Sequence, residues 1–95
     1  MRAGERFVFV VCGAEAEIAT LELALGHLGR FSDTPAIVVT DARRNARPIP
    51  HDRVLDCPTP AEFSDAQAAI FLKTSLHRRL EPGPVYAYLD ADVLA

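Results

Sequence analysis

The chain has little cysteine, no long apolar run and no block of like charge, and each lack excludes something. Two cysteines in 95 residues, Cys12 and Cys57, do not make the disulfide framework of a small secreted domain. They read as reduced thiols and predict a cytoplasmic protein. Neither a CxxC nor an HxxxH pair occurs, and His27, His51 and His77 are scattered, so no zinc site is expected. No stretch approaches the eighteen or so apolar residues of a membrane helix. Ten basic against thirteen acidic side chains leave a net charge of −3, which is not the footprint of a nucleic-acid binder. No internal repeat, low-complexity tract, GxGxxG or Walker loop is present.

What is there is an ordinary folded composition: 49% hydrophobic and 24% charged residues, too apolar for a disordered chain. Arg2 and Arg6 precede the run Phe7-Val8-Phe9-Val10-Val11, and Ala14-Glu15-Ala16 follows it, in the outline of a signal peptide. The run is short, Glu5 sits where the charge should be positive, and the residues are β-branched and aromatic. It reads better as a strand, Arg6 to Cys12, buried on both faces as in a parallel sheet.

Gly13 ends that strand. A helix over Ala14 to Leu28 follows, with Ile18, Leu21, Leu25 and Leu28 on one face and Gly29 as its stop. Ala36 to Thr40 is a second strand with Asp41 at its end. Ala42 to Asp52 reads as a loop whose arginines, Arg43, Arg44 and Arg47, form a solvated surface. Arg53 to Asp56 is a short third strand. Ser64 with Gln67 spells a capping box, opening a helix that Glu81-Pro82-Gly83-Pro84 ends. Its apolar faces are expected to be Ala66, Ile70, Lys73, Leu76 and Leu80, and Ala69, Leu72 and Leu76. Val85 to Leu89 is the last strand and runs into Asp90-Ala91-Asp92. The order predicts an α/β fold: a Rossmann-like, mostly parallel sheet with flanking helices. In such sheets ligands gather at the carboxyl ends of the strands. Gly13, Asp41, Asp90 and Asp92 all fall there.

Asp90 and Asp92 are the sharpest chemical feature. Two carboxylates one residue apart at a strand end can face one hard cation, Mn²⁺ or Mg²⁺, with substrate phosphates completing its shell. Val93 and Leu94 pin the pair between apolar segments.

The segment Val85-Tyr86-Ala87-Tyr88-Leu89-Asp90-Ala91-Asp92-Val93-Leu94, after a helix containing Lys73, resembles the metal-binding segment of GT-A-fold nucleotide-sugar glycosyltransferases. It is most similar to the glycogenin and lipopolysaccharide galactosyltransferase type. The likeness is specific from Lys73 to Leu94 and covers the remainder only in element order. It implies a nucleotide-diphosphate sugar as partner, a UDP-sugar foremost, with sugar transfer to an acceptor the sequence does not identify. It implies Asp92 as direct metal ligand and Asp90 on metal or ribose. Lys73 would stand near the phosphates, Asp41 near the base, and Cys12 and Gly13 against the nucleotide through their backbone. Residues 1–95 then read as one partial domain, the nucleotide-sugar-binding half ending at the DxD motif. Such a half is expected to bind nucleotide weakly, not to turn over, and to self-associate through an open sheet edge. Two alternatives stay open. One is a non-enzymatic α/β module. The other is a phosphatase of the haloacid dehalogenase type, where Leu94 stands in place of the Thr or Val usual there.

Overall fold

The computed structural model describes residues 5–90. Four strands, β1 (Glu5–Val10), β2 (Ala36–Thr40), β3 (Val54–Asp56) and β4 (Val85–Tyr88), pair in parallel in the order β3-β2-β1-β4. Phe7 to Val10 lie opposite Ala36 to Val39, and Glu5 to Val8 lie opposite Val85 to Tyr88. The fold is the expected Rossmann-like α/β sheet with flanking helices.

The unbroken apolar run of β1 has a direct cause. One face places Phe9 and Val11 against Leu21 and Ala24 of α1 (Glu15–Phe31), together with Val38. The other places Val8 and Cys12 against Ala68 and Leu72 of α2 (Asp65–Thr74), together with Val39 and Cys57. A strand covered on both faces has no position for a polar alternate. Phe9, Ile18, Leu21 and Leu72 are fully buried, and each such side chain stabilises the fold by roughly 2 kcal/mol. β3 and β4 are the edges of the described sheet, and β4 leaves Val85 exposed.

Several boundaries differ from expectation, each for a local reason. The β1 strand closes at Val10, although Val11 N–H still donates to Val39 O at 3.2 Å. Helix α1 runs through Gly29 to Phe31, because a helical glycine weakens a helix without ending it. It stops at Ser32, whose backbone turns extended ahead of Pro35 and whose hydroxyl accepts Thr34 N–H at 3.1 Å. The second helix breaks at Ser75 into α2 and a short α3 (Leu76–Arg79). Thr74 Oγ1 donates to the Ile70 and Phe71 carbonyls and Ser75 Oγ donates to that of Phe71, which takes acceptors from the helix ladder.

The buried face of α2 is Ala68 with Leu72, flanked by Ala69. Ile70 is 59% exposed. The face expected to run through Ala66 and Lys73 borders a cleft instead of the core. The capping box forms as read: Ser64 Oγ accepts Gln67 N–H at 3.1 Å, and Gln67 Oε1 accepts Ser64 N–H at 2.8 Å. Ala42–Arg44 is a short 3₁₀ turn within the expected loop.

Two of the three arginines of this loop, Arg44 and Arg47, are not a solvated surface. Arg44 is nearly buried and donates to Thr59 Oγ1, Pro60 O and Phe63 O at 2.6–2.8 Å, tying the loop after β2 to the approach to α2. Arg47 binds Glu15 at 2.7 Å and also Glu22, fastening the same loop to α1. Only Arg43 of the three is largely exposed.

Candidate functional site

The strand order creates one special place. The chain leaves β1 toward β2 and β3 on one side, then returns across β1 to lay β4 on the other. Such a reversal opens a crevice at the carboxyl ends of the two strands that part the connections. Here it is a cleft of about 510 Å³. The first turns of α1 supply Ala16, Glu17 and Thr20, and α2 supplies Asp65, Ala66, Ala69 and Lys73. The strand ends supply Val10, Cys12, Tyr88 and Asp90.

Lys73, Tyr88 and Asp90 meet at its outer wall. Tyr88 O–H donates to Asp90 Oδ1 at 3.1 Å. Lys73 Nζ lies 3.9 Å from the same oxygen and 5.3 Å from the centre of the Tyr88 ring. Partial burial pushes the Tyr88 phenol above its ordinary pKa, against the pull of Lys73. The hydroxyl is therefore a donor at neutral pH. The Asp90 side chain is 57% exposed. Its second oxygen accepts no hydrogen bond from a described residue. Asp92 lies outside the described residues. Among the described residues no group of three or more His, Cys, Asp and Glu side chains is gathered for a metal ion.

The other expected residues divide. Cys12 lines the cleft but is buried, and burial raises its thiol pKa, so it stands as the neutral thiol. Cys12 and Cys57 are both free. Gly13 sits at φ +108°, a conformation that favours glycine, and its backbone is already engaged. Its N–H donates to Asn45 Oδ1 at 2.9 Å and its carbonyl accepts Ala46 N–H at 2.8 Å. The two Gly13 backbone groups expected to face a nucleotide thus stitch the loop after β1 to the loop after β2.

Asp41 is enclosed more completely. Its side chain is 2% exposed. Oδ2 accepts Thr59 N–H at 2.9 Å and Thr59 O–H at 2.7 Å, and Oδ1 accepts Arg43 N–H at 3.3 Å. Burial alone would raise this carboxyl. The donors from Thr59 and Arg43 outweigh it and hold the group far below the usual carboxylate range. Both oxygens thus accept hydrogen bonds from the protein.

Sequence reasoning passed over Asp65, Glu17 and Tyr88. Asp65 follows the Ser64 cap and packs against Gly13, where a Cβ would come within 2.3 Å of Asp65 Oδ2. Glu17 accepts Ala14 N–H at 3.1 Å at the start of α1. Tyr88 was legible from strand periodicity, since residues two apart share a face and Asp90 is its next alternate.

No family model, curated protein or solved structure matches this chain. Among the described residues no helix is long and apolar enough to cross a membrane. Fold and cleft define the class: a Rossmann-like α/β domain with a polar crevice at its topological switch point. A fold of this kind hosts many chemistries, so function has to be argued from the side chains in the crevice.

Proposed function

We propose that the chain carries the nucleotide-diphosphate-sugar-binding part of a metal-dependent glycosyltransferase. The observation that supports this most is the exposed Asp90 carboxylate at the end of β4, beside Lys73 in the switch-point cleft. Asp41, the other aspartate at a strand end among the site candidates, is sealed by its own partners, whereas Asp90 keeps an oxygen open to a ligand. Asp90 and Asp92 would hold Mn²⁺ or Mg²⁺. A divalent cation there supplies Lewis-acid stabilisation of a leaving nucleoside diphosphate. The Lys73 ammonium adds charge on the phosphates, and Tyr88 orients both Lys73 and Asp90. In this reading the protein is cytoplasmic and its donor is a UDP-sugar.

Calorimetric titration of UDP in Mn²⁺, repeated in EDTA and on Asp90→Asn and Asp92→Ala, tests the reading. It predicts binding that requires Mn²⁺ and weakens at least tenfold in either variant. Metal-independent binding, or no binding by a chain whose circular dichroism shows it folded, overturns it.

A further inference from the structure

The opposite edge of the sheet holds a second concavity, independent of the function just proposed. The helix pair breaks at Ser75 and ends at Arg79, so the amino-terminal ends of the strands are left partly uncovered on that face. A hollow of about 380 Å³ results. Ile37, Leu55, Leu80 and Tyr86 border it, and all four pack against the same core cluster.

Three arginines border the same hollow: Arg6 at the start of β1, Arg53 just before β3, and Arg79 at the end of α3. None forms an ion pair with a described carboxylate. Arg6 gives one bond to the Glu5 carbonyl at 2.7 Å. Arg79 is anchored by Nε to Ser75 Oγ at 3.2 Å and lies 5.4 Å from the centre of the Phe71 ring, which leaves its terminal amino groups without a described acceptor. The Arg53 side chain has no hydrogen-bond partner among the described residues, while its carbonyl is fixed in the sheet by Val38 N–H at 3.0 Å. Two carboxylates share the rim. Asp52 lies 3.7 Å from His51, and Glu81 lines the hollow without an ion pair to a described arginine.

We infer that this hollow binds a phosphate monoester with a small apolar body, its phosphate held by Arg6, Arg53 and Arg79 and its body resting on Ile37, Leu55, Leu80 and Tyr86. The planar guanidinium fork can donate two parallel hydrogen bonds to a pair of phosphate oxygens. Against Asp52 and Glu81 the arginines leave the hollow an excess of positive charge, and three guanidinium groups match the three terminal oxygens of a phosphate monoester better than the two of a carboxylate. The volume fits a small organic ligand. The hollow shares no lining residue with the cleft.

The test is a chemical-shift titration of the ¹⁵N-labelled chain with phenyl phosphate, and in parallel with benzoate and with inorganic phosphate. Saturable shifts at the amides of Arg53, Arg79 and Tyr86 are expected with phenyl phosphate, and weaker responses with the other two. Arg53→Gln and Arg79→Gln each weaken binding about tenfold, the loss of one charge-assisted contact. Asp90→Asn leaves it unchanged. Absence of saturable shifts, an equal response to benzoate, or binding that survives Arg53→Gln overturns the assignment. If Arg79→Gln fails to fold, Arg53→Gln decides alone, since Arg53 is exposed and its side chain holds nothing in place.

Discussion

Replacing Asp41 separates a structural acid from a ligand-binding one. Asp41→Ala strips the acceptor from Thr59 N–H and Thr59 O–H, both on a residue only 5% exposed. A buried donor left unpaired costs about 1–3 kcal/mol. Arg44 keeps Thr59 Oγ1, Pro60 O and Phe63 O, so its loss is small. Arg43 is exposed and its ion pair adds under about 1 kcal/mol. The sum is a destabilisation of about 3–5 kcal/mol, as for breaking one partner of a buried pair. Asp41→Asn keeps the shape but turns an amide group toward donors, and should cost about 2–3 kcal/mol. These are large fractions of the 5–15 kcal/mol typical of a whole domain.

Urea unfolding reads this as a lower midpoint at constant slope. The pH dependence gives an independent check. The folded Asp41 pKa is depressed, so the unfolded chain binds this proton more readily than the folded one. Its stabilisation is whole above about pH 4, the ordinary Asp value. It is lost as pH falls from there through the folded value. The Asn variant should lack that part of the acid limb. An Asp41→Asn protein within about 0.5 kcal/mol of the parent, with an unchanged acid limb, would refute the structural assignment and reopen Asp41 as a ligand contact.

Two further substitutions test the frame around the cleft. Gly13→Ala forces a side chain into φ +108° and within 2.3 Å of Asp65 Oδ2, for a loss of about 2–4 kcal/mol in urea unfolding. Adding Asp65→Ala should recover the clash but not the backbone strain. Full recovery in that double variant would show the strain to be absent. Ser64→Ala removes the cap of α2 and should lose about 1 kcal/mol, a fall of about 4–8 °C in midpoint for a domain this size. An unchanged midpoint would mean that tertiary packing alone holds that helix end.

The fold was legible because its signals are redundant. The β1 run, the helix periodicity in α1 and the Ser64–Gln67 box each point the same way. Arg44 and Arg47 were not legible, since a basic loop reads as solvated until the fold brings Thr59, Pro60, Glu15 and Glu22 to it. All these contacts span at least fifteen residues, beyond the reach of any local pattern. The break at Ser75 was hidden for another reason. Leu76 and Leu80 continue the apolar spacing across it, while the hydroxyls that divert the Phe71 carbonyl are silent in hydrophobic periodicity.

The candidate site shows the same limit most sharply. Asp41 and Asp90 look alike in sequence: each is an aspartate closing an apolar strand at the edge where ligands gather. What separates them is which strand each one closes. Asp41 closes β2, whose outer neighbour β3 leads directly to Thr59, so donors arrive and seal the carboxylate. Asp90 follows β4, across the switch point from β2 and β3, where among the described residues Tyr88 and Lys73 come within reach. An acid with both oxygens spent on Thr59 and Arg43 cannot hold a ligand without giving up fold stability. An acid with one oxygen open can. That asymmetry comes from strand order, and it leaves the open carboxylate at the crevice beside β4.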